Sequence, residues 1–570
     1  MILKPLREIT AEIERELTSY SGLTQRLLVN RGIVSRDDAY NFLFPSYDDH
    51  SYDPFLLKDA EKAIDRIHKA IQDDQKIAIY ADYDCDGIPG AVVMSDFFEL
   101  LNFKNYSVYI PDRHKEGYGL QIPAIDSLVE QGVDLFVTVD LGITNNREVE
   151  YIDSLGKEVI ITDHHLVGTS VPKAFAVVNP KQDDCNYPDP MLCGSGVAYK
   201  LVQAFIQKYG DKYGVNPGQE KWLLDMVGLA TLSDMVPLVN ENRVLARYGM
   251  LVFKKTKRKG LLQLIKKAGV NLNSLVEEDI TFMISPRINA AGRMDHPRHA
   301  YELLSTKNND FALEKSNLLH QYNLTRKNLV KQIMRSAKAT LNKRDIGKVI
   351  VVGNREWAIG VLGLVASRLV DEFKVPAFVW GGDEDSELLK GSCRGDGSVN
   401  VVNLMQENAS LFENFGGHEA AGGFSISSTS VHKLQEAFEN SYDNHKIEQP
   451  FKEMYEYEAE LDLSDVTRSV YDEVSKLAPF GVGNPKPAFL FRNLIVESVR
   501  MFGKQNEHLE LTFKDSVGKF VKGIAFFTKH DAFGSALEDG KKINLFASIE
   551  HSTFGYKSEI RLRIEDIHFC

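Results

Sequence analysis

The sequence predicts an α/β protein with two parallel-sheet-containing α/β domains, joined by helices, and a C-terminal all-β domain. Three observations favour this class. Short β-branched apolar runs alternate with segments of helical periodicity in two regions, which is typical of βαβ units. A long stretch without proline or glycine separates these two regions. After residue 450, apolar and polar residues alternate, as in strands with one buried face.

Candidate strands mark both α/β regions. In the first region they are KIAIYA (76–81), VDLFVTVD (133–140), EVIITD (158–163) and FAVV (175–178). In the second they are KVIVVG (348–353) and PAFVW (376–380), with a helix predicted between them at 361–373. Residues 309–343 carry apolar side chains at helical spacing and predict one long connecting helix. The strands after residue 450 are separated by regular turns, which favours a five-stranded barrel of the OB type.

The composition is that of a globular chain with several domains. Its 570 residues suggest about three to four domains at roughly 100–200 residues each. Hydrophobic residues make up 43% of the chain, which is enough for several cores. No apolar run approaches the roughly 18–20 residues of a membrane helix, and the charged start MILKPLREITAEIEREL has no apolar signal core. We therefore expect a cytoplasmic protein.

Charge and cysteine spacing argue against two further classes. The net charge of −13 disfavours a protein that coats nucleic acid through its overall field, although a local basic groove remains compatible with it. The five cysteines form no C-x-x-C pair, so we expect reduced thiols and no zinc knuckle. The densest basic run, KKTKRKG (254–260), fits either a solvated helix end or a track for phosphates.

The most informative segment is ADYDCDGIPG (81–90), where a strand ends and three aspartates follow at alternate positions. Asp82, Asp84 and Asp86 would repel one another unless a cation lay among them. A solvated acidic turn with helix-capping aspartates is the alternative interpretation. The glycines at 87 and 90 permit a tight turn into the following helix.

Other apolar segments also end in acidic or imidazole residues. Asp140 ends the second strand, Asp163-His164-His165 follows the third, and Asp234 follows a later apolar segment. Because ligands bind beyond the carboxyl ends of parallel strands, we expect these side chains to converge. Carboxylates mixed with imidazole favour Mn²⁺ or a similar ion. One aspartate shared by two ions, about 3.5–4 Å apart, would suit phosphodiester hydrolysis.

These segments resemble the DHH phosphoesterase superfamily: Asp82-Tyr83-Asp84 as its first motif, Asp140 as its second, Asp163-His164-His165 as its third and Asp234 as its fourth. Nearly the whole chain also resembles the RecJ family within that superfamily. The matching segments, in order, are IPDRHKEGYGL (110–120), VVNPKQDDCNYP (177–188), LCGSGVAYKL (192–201), ISPRINAAGR (284–293), AIGVLGLVASRL (358–369), GSCRGDG (391–397), FGGHEAAGGF (415–424) and PFGVGNPKPAF (479–489).

The resemblance implies a centre with two Mn²⁺ or Mg²⁺ ions. The implied metal ligands are Asp82, Asp84, Asp140, His164 and Asp234. Asp140 would bridge the two ions, and Asp163 would orient a histidine. His165 would contact the scissile phosphate or help proton transfer. The sequence departs from the family at Tyr80, where some members carry a histidine ligand, and at Ile88-Pro89-Gly90, where a hydroxyl residue is usual.

Further residues would hold the substrate. Gly416 and Gly417 can let backbone N–H groups approach a phosphate, or can simply form a tight turn. The resemblance places His418 with them, facing the metal centre. It also implies that Arg287 and Arg293 contact the DNA backbone; surface arginines are the alternative. The implied residues of a terminal-phosphate pocket are Arg113, Ser392 and Arg394, with Tyr118 stacking near a base.

The C-terminal domain offers further candidate groups. They are Phe491, Phe502, Lys504, His508, Phe513, Phe526 and Phe527. Most of these aromatic residues are expected in the core because of their strand spacing. An OB barrel also binds single strands by stacking and local positive charge, which the resemblance supports.

The resemblance gives domain boundaries and a function. The predicted domains are 1–75 (N-terminal helical part of the catalytic domain), 76–250 (DHH catalytic domain), 251–345 (helical connector), 346–445 (DHH-associated domain) and 450–570 (OB-fold domain). The implied function is a single-stranded-DNA-specific 5′–3′ exonuclease of DNA recombination and repair that releases 5′-mononucleotides. A monomer is expected, and a single-strand binding protein and a RecQ-type helicase are implied partners. Two alternatives are a DHH phosphodiesterase for short oligonucleotides or cyclic dinucleotides, and a non-catalytic DNA-binding scaffold.

Overall fold

The computed structural model describes residues 2–3, 6–382, 387–447, 454–503, 506–528, 533, 537–552 and 558–570. The chain forms two compact units. The first comprises Met1–Tyr52, Met235–Arg247 and Lys452–Cys570, and the second comprises Asp53–Asp234 and Tyr248–Phe451. No helix in the described part of the chain combines the length and apolar character that crossing a membrane requires.

The N-terminal helices belong to the first unit. The elements are β1 (Ile2–Leu3), α1 (Ala11–Glu16), α2 (Gly22–Asn30), α3 (Arg36–Leu43) and α4 (Tyr47–His50). Each helix begins after a Ser or Thr whose side chain accepts a backbone N–H of the first turn. Their apolar residues, including Leu27 and Leu28, share one core with Phe489 and Phe491 of the C-terminal domain. The sequence analysis assigned residues 1–75 to the catalytic domain, whereas the compact unit that contains the first α/β sheet begins at Asp53.

The first α/β domain contains a five-stranded parallel sheet. Its elements are α5 (Ala60–Gln72), β2 (Lys76–Ala81), α6 (Gly87–Leu100), β3 (Tyr106–Tyr109), α7 (Ile122–Glu130), β4 (Val133–Val139), α8 (Asn146–Ser154), β5 (Glu158–Thr162), β6 (Ala176–Val178), α9 (Gly194–Tyr209) and α10 (Leu224–Ser233). The strand order is β3-β2-β4-β5-β6. The four predicted strands are confirmed to within one residue. The sequence did not predict β3, a half-buried strand at the edge of the sheet.

The strand order creates a topological switch point between β2 and β4. The chain passes from β2 to β3 on one side and then returns to place β4 on the other side. A crevice opens at such a point beyond the carboxyl ends of the strands. The acidic segment after β2 and the aspartate after β4 therefore meet at the position where an open α/β sheet binds ligands.

Helices follow this domain. They are α11 (Asn240–Phe253), α12 (Lys259–Ala268), α13 (Ser285–Met294), α14 (Arg298–Ser305) and α15 (Asn309–Leu341), with a π-helical turn at Asp279–Ile284 before α13. The 33 residues of α15 confirm the predicted long helix, which packs against α12, α13 and α14. Asn308 caps its start by accepting the N–H groups of Asp310 and Phe311.

The second α/β domain has a mixed sheet. Its elements are β7 (Ile350–Gly353), α16 (Leu362–Phe373), β8 (Ala377–Gly381), β9 (Leu388–Arg394), α17 (Val401–Glu407), β10 (Phe412–His418), β11 (Ala421–Ser427) and α18 (Leu434–Ser441). The strand order is β10-β11-β9-β8-β7, and only β7 and β8 pair in parallel. The sequence predicted the strands β7 and β8. It did not predict β9, β10 and β11, which extend the sheet in antiparallel fashion.

The C-terminal domain is β-rich. Its elements are β12 (Met454–Tyr455), β13 (Ala459–Glu460), α19 (Arg468–Ser475), β14 (Phe489–Ile495), β15 (Ser498–Phe502), β16 (His508–Lys514), β17 (Phe520–Ala525), β18 (Lys542–Ser552) and β19 (Glu559–Phe569). The sheet order is β13-β14-β18-β19-β17-β16-β15. Because β14 and β15 are consecutive parts of one segment, residues 489–502 pair with β18 first and with β16 afterwards. One segment thus joins both edges of the sheet and closes a barrel of five long strands.

Candidate metal centre and phosphate-binding residues

Three aspartates are fixed at the carboxyl ends of neighbouring parallel strands. The backbone N–H groups of Asp82, Asp140 and Asp163 donate to the last residue of the next strand, at 3.1, 2.9 and 3.1 Å. Asp140 adopts a φ of 65°, a left-handed conformation that residues other than glycine rarely adopt. The sheet itself therefore positions these carboxylates at the edge where the sequence predicted them.

The predicted ligands converge around this edge. His164 Nε2 lies 3.2 Å from Asp140 Oδ1 and 3.7 Å from Asp234 Oδ2. Three groups of side chains each offer ligand atoms that all lie within 4.8 Å of one another. They are Asp82, Asp84 and Asp140; Asp140, His164 and His165; and Asp86, His164 and Asp234. Asp234 lies at the end of helix α10, whereas the other residues of these groups follow strands of the sheet.

The carboxylates of this cluster repel one another. Burial, followed by the charges of Asp86 and Asp84, raises the pKa of Asp140 well above its ordinary value. Burial and the neighbouring Asp84 likewise raise the pKa of Asp82. Burial, followed by the charges of Asp86 and Asp84, also raises the pKa of Asp234 to about 8. A positive charge among these side chains would remove the repulsion that opposes their ionisation.

The residues present fit a divalent cation. Asp82 Oδ1, Asp140 Oδ1 and His164 Nε2 are buried and have no hydrogen-bond partner among the described residues. A buried polar atom without a partner costs about 1–3 kcal/mol, so three of them at one place indicate a ligand. Burial, followed by the charge of His165, lowers the pKa of His164 to about 3, which keeps its ring neutral for coordination. Carboxylate oxygens with one imidazole suit Mn²⁺ or Mg²⁺.

Asp163 has a different role, because its oxygens are occupied. Its Oδ1 accepts the backbone N–H groups of both histidines and the ring Nδ1 of His165, the last at 2.8 Å. Its Oδ2 accepts the N–H of Ile143 at 2.9 Å. Burial alone would lower the pKa of His165, but the hydrogen bond and charge of Asp163 raise it to about 9. Asp163 thus holds the His165 ring in place by its Nδ1, which leaves Nε2 on the opposite side of the ring.

Asp86 also belongs to the cluster, although the sequence analysis gave it no role. Its carboxylate accepts the N–H groups of Gly194 and Ser195 at 2.6 and 2.7 Å, at the N-terminus of α9. A negative charge at a helix N-terminus is stabilising. A Cβ atom on Gly194 would lie 2.5 Å from Asp140 Oδ1, so only glycine lets α9 approach this closely. The alternate spacing of three aspartates was the available signal for Asp86.

Aromatic and basic side chains lie beside the candidate metal centre. The Arg113 guanidinium lies 4.8 Å from the centre of the Tyr83 ring, which is 6.4 Å from the Tyr118 ring. The Tyr118 hydroxyl is 3.2 Å from His165 Nδ1 and donates to the backbone oxygen of Asp140 at 3.3 Å. Tyr118 is 42% exposed. Its ring is therefore accessible beside the cluster, as stacking on a base would require.

Two of the three predicted terminal-phosphate residues, Ser392 and Arg394, meet at the start of α16. Arg394 donates to Ser392 Oγ at 3.3 Å. A Cβ atom on Gly363 would lie 3.0 Å from that oxygen, so the first turn of α16 approaches both residues closely. The first N–H groups of a helix have no partner within the helix and favour anions. Ser392, Arg394 and this helix end together form a site suited to a phosphate.

Arg293 connects this site to the acidic cluster. Its guanidinium donates to the backbone oxygen of Gly360, just before α16, at 3.2 Å. Burial lowers the pKa of Arg293 to about 9, and the positive charges of Arg113 and Arg394 act in the same direction. The opposing influence comes from Asp84. Arg293 is thus positioned between the predicted phosphate pocket and the predicted metal ligands.

The remaining predicted residues are placed differently. Arg287 is 5% exposed and donates to the backbone oxygen of Met283 and, at 3.4 Å, to His320 Nδ1. His418 is exposed on the edge strand β10, in register with Ala421 and, through it, with Arg394. Among the described residues, His418 makes no hydrogen bond or ion pair with the acidic cluster. Its contact with a phosphate stays a prediction.

The glycine-rich segment forms a β-hairpin. Gly416 and Gly417 lie in β10 opposite Gly423 and Gly422 of β11. A Cβ atom on Gly417 would lie 2.3 Å from the backbone oxygen of Ala421, so the two strands require glycine there. The two glycines therefore lie in the first strand of the hairpin rather than in its turn, and their contact with a phosphate stays a prediction.

The sequence departs from the family pattern at Tyr80 and Pro89, and both side chains are buried. Tyr80 is fully buried and donates its hydroxyl to the backbone oxygen of Gly119 at 3.3 Å, so it supplies no ligand to the cluster. Pro89 and Gly90 are buried in the first turn of α6. A Cβ atom on Gly90 would lie 2.5 Å from a methyl group of Val139. These residues pack α6 against the strand that leads to Asp140.

The basic run 254–260 connects α11 to α12. Arg258 pairs with Asp96 at 2.6 Å and with Asp225 at 2.9 Å. Lys254 and Lys255 are exposed. Arg258 is thus neutralised by carboxylates and is not available for phosphates. This favours the interpretation of the basic run as a solvated helix end rather than a track for phosphates.

The aromatic candidates of the C-terminal domain divide into two groups. Phe491 and Phe513 are fully buried, as the strand spacing predicted. Phe527 is 84% exposed and its ring lies 4.9 Å from that of His508. The partly exposed Phe502 and Phe526 lie beside the same histidine, and Arg563 is 4.3 Å from the centre of the Phe526 ring. Lys504 lies outside the described residues.

The fold and the carboxylate–imidazole cluster together define a metal-dependent phosphoesterase of the DHH class. Three family models match the chain: the DHH family, N-terminal domain, over residues 76–231, the DHHA1 domain over 346–443, and the RecJ OB domain over 457–566.

Individual relatives narrow this class. The single-stranded-DNA-specific exonuclease RecJ of Bacillus subtilis is 34% identical over 95% of this chain and 67% of its own length. The RecJ of Haemophilus influenzae is 30% identical over 83% of this chain and 84% of its own length. The crystal structure of RecJ in complex with Mn²⁺ from Thermus thermophilus superposes with a TM-score of 0.82 at 25% identity, over 100% of this chain and 79% of that one. The chain belongs to the RecJ family.

Proposed function

We propose that this protein is a single-stranded-DNA-specific exonuclease that hydrolyses phosphodiester bonds from a 5′ end with two divalent ions, Mn²⁺ or Mg²⁺. One observation carries the proposal. Buried ligand atoms of Asp82, Asp140 and His164 converge without partners, and arginines from two other elements flank them. That combination suits a cation pair beside a phosphate and has no function in a purely structural site.

The side chains divide the chemistry among them. Asp82, Asp84, Asp140, His164 and Asp234 would hold the two ions, with Asp140 shared. Bound ions of this kind activate a water molecule and neutralise charge on the phosphate. Asp163 holds His165 by its Nδ1, which leaves Nε2 to donate to a phosphate oxygen. Asp86 fixes the start of α9 behind Asp140 and acts as a positioning residue.

The second α/β domain would select a strand end. Ser392 and Arg394 of this domain, together with Arg113 of the first α/β domain, offer donors for a terminal phosphate, and the start of α16 adds oriented N–H groups. Capture of a terminal phosphate explains cleavage from an end, because an internal position of a strand cannot fill such a pocket. The family resemblance supports the 5′ polarity, a role in recombination and repair, and partnership with a single-strand binding protein and a RecQ-type helicase.

End-labelled DNA tests this proposal. In Mn²⁺, the wild type should release 5′-mononucleotides from single-stranded but not from blunt duplex DNA. Asp140→Ala should lose at least about 10³-fold of the rate while keeping its circular-dichroism spectrum. Equal cleavage of single-stranded and duplex DNA, or an unchanged rate in the variant, would refute the proposal.

A further inference from the structure

A group of cations on three packed helices contains, besides Arg287, three residues with no predicted role. It consists of Arg287 on α13, Arg326 and Lys327 on α15, and Arg368 on α16, and is called the cationic row below. The three helices pack together around α15. None of the four residues forms an ion pair with a carboxylate in the part of the chain that the structure describes. This is unusual in a chain whose net charge is −13.

The members of the cationic row repel one another. Burial, followed by the charges of Arg368 and Arg287, lowers the pKa of Arg326. Burial and the same two arginines, together with Arg326, lower the pKa of Lys327. Repulsion between neighbouring like charges costs free energy that a bound anion would recover. The row therefore has the electrostatic character of a site for a polyanion.

One atom of the row points to a ligand independently. Arg326 Nε is buried and has no hydrogen-bond partner among the described residues. Arginine presents its N–H groups in a rigid planar fork that matches a phosphate. Lys327 and Arg368 are exposed beside it and can reach the same ligand. An unsatisfied arginine flanked by two free cations is a site of the kind that phosphates occupy.

The cationic row is continuous with the candidate active site. The positive charge of Arg326 helps to lower the pKa of Arg293, as do the charges of Arg113 and Arg394. The negative charge of Asp84 opposes them. Positive charge therefore extends from the predicted terminal-phosphate pocket, past the acidic cluster, to α15. A single strand with its first phosphate in the pocket has its later phosphates available to this row.

We propose that Arg326, Lys327 and Arg368 bind phosphates of the strand several nucleotides beyond the scissile bond, and so make the protein prefer long single strands to very short oligonucleotides. This inference rests on the proposed exonuclease function and deepens it. It assigns substrate-length selection to helices α15 and α16. Because the contacts are electrostatic and made to the backbone, the preference is independent of sequence.

Substrate length and salt test the cationic row. The measurements are kcat and KM in Mn²⁺ on 5′-phosphorylated oligothymidylates of 3 and 20 nucleotides, for the wild type, Lys327→Gln, Arg368→Gln and the double variant. In the double variant the ratio of kcat/KM for the 20-mer to that for the 3-mer should fall about tenfold, through KM. The dependence of log KM on log salt should become shallower by about 0.7 per lost contact.

Two further variants separate charge from structure. Lys338→Gln removes the same charge from the same helix, but Lys338 pairs with Glu372 at 2.6 Å, so its length ratio should equal the wild-type ratio. Arg326→Lys keeps the charge without the fork and should give an intermediate ratio. An unchanged ratio in the double variant, with the wild type cleaving both oligonucleotides, would overturn this inference alone. Failure of the wild type to cleave either oligonucleotide would overturn the proposed function.

Discussion

The carboxyl edge of the first sheet and the cationic row hold opposite charges by different means. At the sheet edge, backbone hydrogen bonds of 2.9–3.1 Å fix Asp82, Asp140 and Asp163 to the next strand. In the cationic row, Lys327 and Arg368 project from helices on long side chains and are exposed. The reacting centre is thus built on rigid backbone, whereas the groups proposed to hold the rest of the strand can adapt to it. Catalysis requires fixed distances between the reacting groups, but the binding of a flexible polyanion does not.

After the loss expected for Asp140→Ala, the largest effect is expected where a fixed arginine would bind a phosphate. Arg394→Gln should lower kcat/KM on 5′-phosphorylated single strands by about 10- to 100-fold, since a hydrogen bond to a charged group contributes about 1.5–3 kcal/mol. The same variant should lose much less on 5′-hydroxyl strands, which supply the internal control. Equal losses on both substrates would remove Arg394 from terminal-phosphate recognition.

A second prediction tests the rigidity of the sheet edge. Gly194→Ala places a methyl group 2.5 Å from Asp140 Cβ and Oδ1. We expect the free energy of unfolding to fall by about 1–3 kcal/mol through overpacking, and kcat to fall about tenfold as Asp140 is displaced. Thermal denaturation and single-strand digestion measure the two effects.

The control for this change is Gly22→Ala at the start of α2, where a Cβ atom meets nothing within 4 Å. That variant should keep wild-type activity and stability, or gain slightly from the reduced freedom of the unfolded chain. If Gly194→Ala behaves like Gly22→Ala, the close approach of α9 to Asp140 does not matter to the site.

The smallest effect concerns Tyr118, beside the sheet edge. Tyr118→Phe removes hydrogen bonds to His165 and to the Asp140 backbone but keeps the ring, so kcat should fall only about two- to fivefold. Tyr118→Ala also removes the exposed ring and should raise KM, because stacking contributes about 1–3 kcal/mol per base. Steady-state kinetics on the same 20-mer compares them. Identical kinetic constants in the two variants would exclude stacking on this ring.

Much of the sheet edge was predictable from the sequence. The apolar strands before Asp82, Asp140 and Asp163 are short, β-branched and parallel, so the direction of each strand places its following residue at one edge. The long helix α15 was predictable for a similar reason, because its periodicity is local and uninterrupted. Local patterns of this kind need no knowledge of tertiary packing.

The remaining features depend on packing between distant segments. The cationic row joins α13, α15 and α16, and no spacing within one helix reveals that its residues meet. The N-terminal helices share a core with the C-terminal barrel, although their sequence resembles any amphipathic segment. Asp86 was visible in the sequence, but its attachment to the start of α9 depends on residues more than 100 positions away.

Metal stoichiometry tests the central claim most directly. Equilibrium dialysis against Mn²⁺, with metal analysis of the full chain, should give two ions per wild-type molecule. Asp140→Asn preserves the shape of the side chain but removes the shared carboxylate, so it should bind at most one ion, and more weakly. Two ions bound by Asp140→Asn with wild-type affinity, or none bound by the wild type, would contradict a centre built around Asp140.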